Sequence, residues 1–119
     1  TGWGLRNFSF LYQEKTNIWL GHPHNLFLML AGEMGIPATI FFCAIIGFIL
    51  AKTILLLKQF TGEERLILFS YLVAFTGLIL FNLADVSMFD FRSNVLGWIL
   101  LSGMWGCVKN FNEKILNPS

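Results

Sequence analysis

Two histidines flank a proline directly before an apolar run, in the stretch GHPHNLFLML that begins at Gly21. Imidazoles titrate near neutral pH and can take a proton from a hydroxyl, so His24 is a candidate general base. Its neighbour Asn25 is the second candidate for a catalytic role. From the residues alone, both could instead be polar caps of a helix at a membrane interface, and that interpretation stays open here.

A metal site is a third interpretation of the same histidines. A zinc ion needs more protein ligands than His22 and His24 supply, and no cysteine is placed to help. Cys43 and Cys107 each lie in an apolar segment, where we interpret them as packing residues. The sequence therefore predicts no metal and no cofactor.

Two arginines are candidates for binding an anion. The guanidinium fork of Arg6 or Arg92 suits a phosphate or pyrophosphate, because it makes paired, charge-assisted hydrogen bonds. We add His22 to this candidate set. The structural alternatives are a solvated loop position for Arg6 and a local ion pair with Asp85 or Asp90 for Arg92.

The composition indicates which elements must hold these residues. Of 119 residues, 55% are hydrophobic and 13% are charged, whereas soluble domains carry about 25% charged residues. The formal charge of +1 gives no reason to expect a nucleic-acid partner. We therefore predict an all-α membrane protein with about three transmembrane helices and a short interfacial or re-entrant helix.

Local signals divide the chain into a loop and a transmembrane part. Residues 1–22 are polar with scattered aromatics, which is typical of a loop at a bilayer surface. A short helix is predicted over 23–35, because Pro23 suits a first helical position and Gly35 can close a helix. Pro37 then starts the next helix. Transmembrane spans are predicted at about 37–57, 65–84 and 95–109.

The short helix contains a carboxylate, Glu33. A negative charge near a helix C-terminus opposes the helix dipole, so Glu33 should face water and headgroups or pair with a cation such as Arg92.

The distribution of basic residues predicts the orientation. One side has five Lys and Arg residues and the other has three, and the richer side faces the cytoplasm. The histidines, the N-terminal loop and the hairpin over 85–94 then share the outer face. The cytoplasmic set is Lys52, Lys58, Arg65, Lys109 and Lys114, and the outer set is Arg6, Lys15 and Arg92.

The stretch HNLFLMLAGEMGIPATIFF resembles the region after the large periplasmic loop in the O-antigen ligase and polymerase family of bacterial membrane glycosyltransferases. His24, Asn25 and Gly35 fit the family's spacing, while Ala38 departs mildly from its Gly-Ile-Pro-Gly. TGWGLRNF is similar to the segment that opens the loop, and DVSMFDFRSNVLGWILL to the closing hairpin and last span of cyanobacterial-type members.

The resemblance implies a metal-independent transfer of a glycan from undecaprenyl pyrophosphate to an acceptor hydroxyl at the periplasmic face. His24 would act on the acceptor with Asn25 beside it, and Gly35 and Pro37 would form a structural motif. The implied partners are a lipid-linked glycan donor, a glycan or lipid acceptor, and membrane lipids.

The same resemblance places the chain within a larger multi-pass protein of the bacterial inner membrane. Residues 1–22 would be the remnant of the periplasmic loop and 23–119 the C-terminal transmembrane part, with the His24 side periplasmic and the C-terminus cytoplasmic. We expect the chain to be inactive without the preceding spans.

Two alternatives stay open at this point. An inorganic-carbon or other solute transporter would use Glu33, Asp85 and Asp90 as ion or substrate contacts, although few polar residues lie within the predicted spans. The chain could also be an inactive fragment.

Overall fold

The computed structural model describes residues 2–86 and 90–116, with side chains up to residue 113. These ranges form helices and contain no strand, which confirms the all-α prediction for the described part of the chain. The polar hairpin predicted over 85–94 lies partly outside the described residues, as does the end of the C-terminal tail. The helices are α1 (Phe8–Thr16), α2 (Leu26–Glu33), α3 (Ile36–Leu57), α4 (Gly62–Phe81) and α5 (Phe91–Leu116).

The short helix α2 is narrower than the predicted range 23–35. It begins at Leu26, because Asn25 caps its first turn. Pro23 therefore lies before the helix, and the prediction that it is the first helical residue is wrong. It ends at Glu33, and Gly35 follows with a φ of +93°, which favours glycine. Helix α3 then begins at Ile36 with Pro37 in its first turn. The two-helix break around Gly35 and Pro37 is present as predicted.

The N-terminal segment, predicted as a loop, contains helix α1. None of its nine residues is fully buried, and its apolar stripe is limited to the half-buried Phe8, Leu11 and Tyr12, at positions i, i+3 and i+4. Asn17 closes the helix in the left-handed conformation, and its N–H donates to the carbonyl of Gln13. Helix α1 lies against α2.

Helices α4 and α5 differ from the predicted spans at both ends. Helix α4 begins at Gly62 and ends at Phe81, because the chain tightens into turns over Asn82–Ala84. Helix α5 begins at Phe91, and the Asp90 carboxylate accepts a hydrogen bond from the Arg92 N–H at 3.1 Å. That cap explains the earlier start.

Helices α3, α4 and α5 pack against one another around an apolar core. Leu68, Phe75, Met104 and Val108 are almost fully buried there. The chain as a whole is elongated, with extents of 64 × 23 × 20 Å. The core residues are Ile46, Ile49, Leu56, Leu68, Phe75, Leu101, Met104, Val108 and Phe111.

Two of the described helices, α3 and α4, are long and apolar enough to cross a membrane. Within the described residues, only 22% of the apolar stretch in α3 and 11% of that in α4 are buried, whereas the core helix of a soluble protein is mostly buried. Large side chains such as Phe41, Phe48 and Phe69 are exposed on them. Helix α5, which covers the third predicted span, does not reach the same apolarity among the described residues.

Helices α4 and α5 are in close contact where Gly103 faces Tyr71. A Cβ added at Gly103 would lie 2.6 Å from Cε1 of the Tyr71 ring, closer than real contacts allow. A Cβ added at Gly106, on the same helix, would meet no atom within 4 Å. Alanine substitutions at these two glycines therefore distinguish the effect of crowding against Tyr71 from the effect of alanine on helix propensity.

We expect Gly103→Ala to destabilise the bundle by about 1–3 kcal/mol, because the new methyl group must displace the Tyr71 ring. Gly106→Ala is the matched control and should leave stability unchanged or slightly raised, since alanine favours a helix. Thermal unfolding of the detergent-solubilised protein measures both. Equal midpoints for the two variants would contradict the close packing of α4 and α5.

Candidate functional site

The residues before α2 are attached to the end of α4. The Leu26 N–H donates to the Asn82 carbonyl at 2.9 Å. The Asn25 Nδ2 donates to the Leu83 carbonyl at 3.0 Å. These two bonds bring the histidine segment against the residues that follow α4.

Asn25 uses both polar atoms of its amide for structure. Its Oδ1 accepts hydrogen bonds from the N–H groups of Phe27 and Leu28 at 3.0 and 3.1 Å, which caps α2. Its Nδ2 donates to the carbonyl of Leu83, just after the end of α4. Asn25 therefore positions His24, and the capping role considered from the sequence is present.

His22, His24 and Asp85 form a cluster at this junction. The two imidazole centroids are 4.3 Å apart with an interplanar angle of 64°. One donor atom from each of the three side chains lies within 4.8 Å of the others. His24 is exposed, whereas His22 and Asp85 are half-buried.

The backbone conformation and the hydrogen bonds around the cluster show that its residues are constrained. His24 has a φ of +49°, which is uncommon for a residue other than glycine. The Asp85 Oδ1 accepts a hydrogen bond from the Val86 N–H at 2.7 Å. The Nδ1 of His22 is buried and, within residues 2–86 and 90–116, has no hydrogen-bond partner. Such a nitrogen is costly unless something else binds it.

Asp85 is the site residue that sequence reasoning missed. From the sequence, Asp85 was one of two alternative ion-pair partners for Arg92 or a contact in a transporter, whereas the structure brings it to the two histidines. A signal was present, because the predicted topology already placed the end of α4 and the histidines on one face. Asp85 also supplies the third potential metal ligand that His22-Pro23-His24 lacked.

Arg6 and Arg92 are both exposed. Among the described residues, neither guanidinium makes a hydrogen bond or ion pair to His22, His24 or Asp85. The contact of Arg92 with Asp90 uses its backbone N–H and leaves the side chain out. Arg6 lies in a turn with a φ of +63°.

Glu33 is buried rather than facing water or a cation, so the sequence expectation for it is wrong. It is 3% exposed, and neither carboxylate oxygen has a hydrogen-bond partner in the described part of the chain. The cause is the N-terminal segment: the N–H groups of Trp3 and Gly4 donate to the carbonyls of Gly32 and Glu33 at 2.7 and 3.0 Å. Gly2 lies so close that a Cβ there would overlap the Glu33 carbonyl.

Comparison with protein-family models, curated proteins and solved structures finds no match to this chain. The resemblance to the O-antigen ligase and polymerase family therefore stays a prediction. Any functional conclusion has to come from the site itself.

The cluster can perform two kinds of chemistry. An exposed imidazole beside a carboxylate can accept a proton, because the carboxylate orients the ring and stabilises the imidazolium. Two imidazoles and a carboxylate can instead bind a transition-metal ion. Both uses need an imidazole lone pair at the same position.

We expect Asn25→Ala to lower the free energy of unfolding by about 1–2 kcal/mol, because it removes the cap of α2 and the bond to Leu83. Asn25→Ser keeps a capping oxygen but has no group to replace Nδ2, so its loss should be smaller. Thermal unfolding in detergent ranks the stabilities of the wild type and the two variants. An Asn25→Ala protein as stable as wild type would contradict the anchoring role.

Proposed function

We propose that the chain is part of a membrane glycosyltransferase that moves a glycan from a polyprenyl-pyrophosphate carrier to an acceptor hydroxyl. The observation that carries this proposal is the cluster of His24, His22 and Asp85 at the end of apolar helices. An acid–base group at the boundary of a membrane suits a reaction between a lipid-anchored donor and a polar acceptor.

In this reaction His24 is the general base. Its imidazole takes the proton of the acceptor hydroxyl as that oxygen attacks the anomeric carbon of the donor glycan. The bond from that carbon to the pyrophosphate oxygen breaks, and polyprenyl pyrophosphate leaves. Asp85, which has an oxygen within 4.8 Å of a ring nitrogen of His24, would attract the positive charge that forms on the imidazole. The exposure of His24 lets an acceptor reach it.

The leaving group is a pyrophosphate anion, for which His22, Arg6 and Arg92 are the candidate ligands. Both guanidinium groups are exposed, and in the part of the chain that the structure describes neither takes part in an ion pair. Their donors can therefore bind phosphoryl oxygens.

An apolar groove of about 440 Å³ between α3 and α5 supports a lipid-linked donor. A chain of isoprene units would fit such a surface because its lining is almost entirely hydrocarbon. The groove is lined by Phe41, Ala44, Ile45, Phe48, Ile49 and Trp105.

A solute transporter is the weaker proposal. Transport requires a polar path along the spans. The buried polar side chains described within and just after α3 and α4 are Thr53 and Asn82, and each donates to a carbonyl of its own helix, Ile49 and Leu78. These bonds satisfy the helix and leave little for a solute.

We expect His24→Ala to lower glycan transfer by about 10²–10⁴-fold in the full-length protein, because general-base catalysis is lost. Asp85→Asn should cause a smaller loss, since the imidazole survives without its orienting charge. Transfer from a lipid-linked donor is measured in membranes, with labelled bicarbonate uptake in vesicles as the transport assay.

Asp90→Asn is the matched control, because it changes a nearby exposed carboxylate of the same kind and still leaves an amide oxygen to accept the Arg92 N–H. Normal transfer in His24→Ala, with equal amounts of protein in the membrane, would refute the role of His24. Bicarbonate uptake that depends on His24 would favour the transporter.

The proposed orientation has its own test. His24→Cys, in a protein whose Cys43 and Cys107 are replaced by alanine, should react with a membrane-impermeant maleimide from the periplasmic side. Lys109→Cys should react only after the membrane is opened. Labelling of both positions from the same side would contradict the periplasmic location of the histidines.

A further inference from the structure

The cluster of His22, His24 and Asp85 also has the composition of a metal site. We propose that these three side chains bind one divalent transition-metal ion, with Zn²⁺ as the expected ligand. This inference does not depend on glycan transfer, because it rests on the donor atoms and their surroundings.

The distances between the donor atoms are close to those of a metal centre. Ligands at about 2.0–2.2 Å from a tetrahedral zinc ion are about 3.3 Å apart. In the structure the three donor atoms lie within 4.8 Å of one another. In an occupied site, rotation of the side chains would have to close that difference.

The buried Nδ1 of His22 is the second observation that points to a ligand. This nitrogen is shielded from solvent, and the described residues offer it no hydrogen-bond partner. Buried polar atoms in native proteins are normally satisfied. A metal ion bound at Nδ1 would satisfy this nitrogen, and it would fix the tautomer of the ring with the proton on Nε2.

The ligands are held by elements that are already fixed. Pro23 restricts the backbone between the histidines, and Asn25 holds the segment to Leu83, close to Asp85. The bond from the Val86 N–H occupies one lone pair of the Asp85 carboxylate and leaves others for a metal. Ligands from two distant parts of the chain are therefore preorganised by hydrogen bonds outside the site.

The donor types select the kind of ion. Mg²⁺ and Ca²⁺ prefer oxygen ligands, whereas imidazole nitrogen suits zinc and its neighbours. Three protein ligands leave a fourth position for water, and the exposure of His24 makes that position accessible. An ion bound through His24 would block its use as a base, so Zn²⁺ should inhibit the proposed transfer.

Cobalt substitution tests the site directly. The full-length protein, purified with a histidine-free affinity tag in detergent, is titrated with Co²⁺, whose visible absorption reports nitrogen and oxygen ligands. We expect one strongly bound Co²⁺ that is displaced by Zn²⁺. His24→Ala and Asp85→Asn should each weaken binding by at least about 100-fold, because even residues outside the coordination sphere cost 10–100-fold.

Asp90→Asn and Glu33→Gln are the controls and should bind Co²⁺ like wild type. Far-UV circular dichroism checks that each variant keeps its helices, and Asp85→His, which replaces one ligand by another, should retain binding. Absence of Co²⁺ binding to the wild-type protein would overturn the proposal, and so would unchanged binding in both His24→Ala and Asp85→Asn. Binding without glycan transfer would instead argue only against the proposed function.

Discussion

The short helix α2 depends on hydrogen bonds that satisfy its ends from other parts of the chain. At its start, donors of Asn25 and Leu26 bond the carbonyls of Leu83 and Asn82, where α4 has run out of internal partners. At its other end, the N–H groups of residues 3 and 4 bond the last carbonyls of the helix. Unsatisfied backbone groups are costly near lipid. The N-terminus of one helix and the C-terminus of another therefore stabilise each other.

This arrangement explains the position of the cluster. Because α2 begins where α4 ends, the residue pair that precedes α2 and the residues that follow α4 must lie together. His24 and Asp85 become neighbours for that reason, although they are far apart in the sequence. The side chain of Asn25 helps to fix the distance between the histidine segment and the end of α4. Its Oδ1 caps α2, and its Nδ2 donates to the Leu83 carbonyl that follows α4.

Local rules were sufficient for the elements whose causes are local. The all-helical class follows from composition, and the break between α2 and α3 follows from Gly35 and Pro37. The start of α2 could not be predicted in this way. Pro23 is favourable as a first helical residue, but the helix begins after Asn25, which caps it and whose side-chain amide also bonds the distant Leu83 carbonyl. No residue of helix α1 is fully buried, and its periodic signal is limited to Phe8, Leu11 and Tyr12.

The site was predictable only in part, and for the same reason. His24 became a candidate from residue type and position, whereas the proximity of Asp85 to it could be known only from which loop meets which helix. Glu33 shows the limit of a local electrostatic rule. The dipole argument predicted that the Glu33 side chain is exposed. Instead, the N-terminal segment covers Glu33 through backbone hydrogen bonds, and the residues around Glu33 give no sign of these bonds.

A base and a metal ligand make opposite demands on the same imidazole. A base must exchange protons with solvent or substrate, which requires an exposed ring with a free lone pair. A metal ligand must be held, which requires neighbouring donors and a fixed backbone. His24 is exposed yet has a constrained backbone conformation beside His22 and Asp85. If both proposals hold, proton transfer and metal binding would compete for one lone pair of His24, and the local concentration of metal ions would set which one occurs.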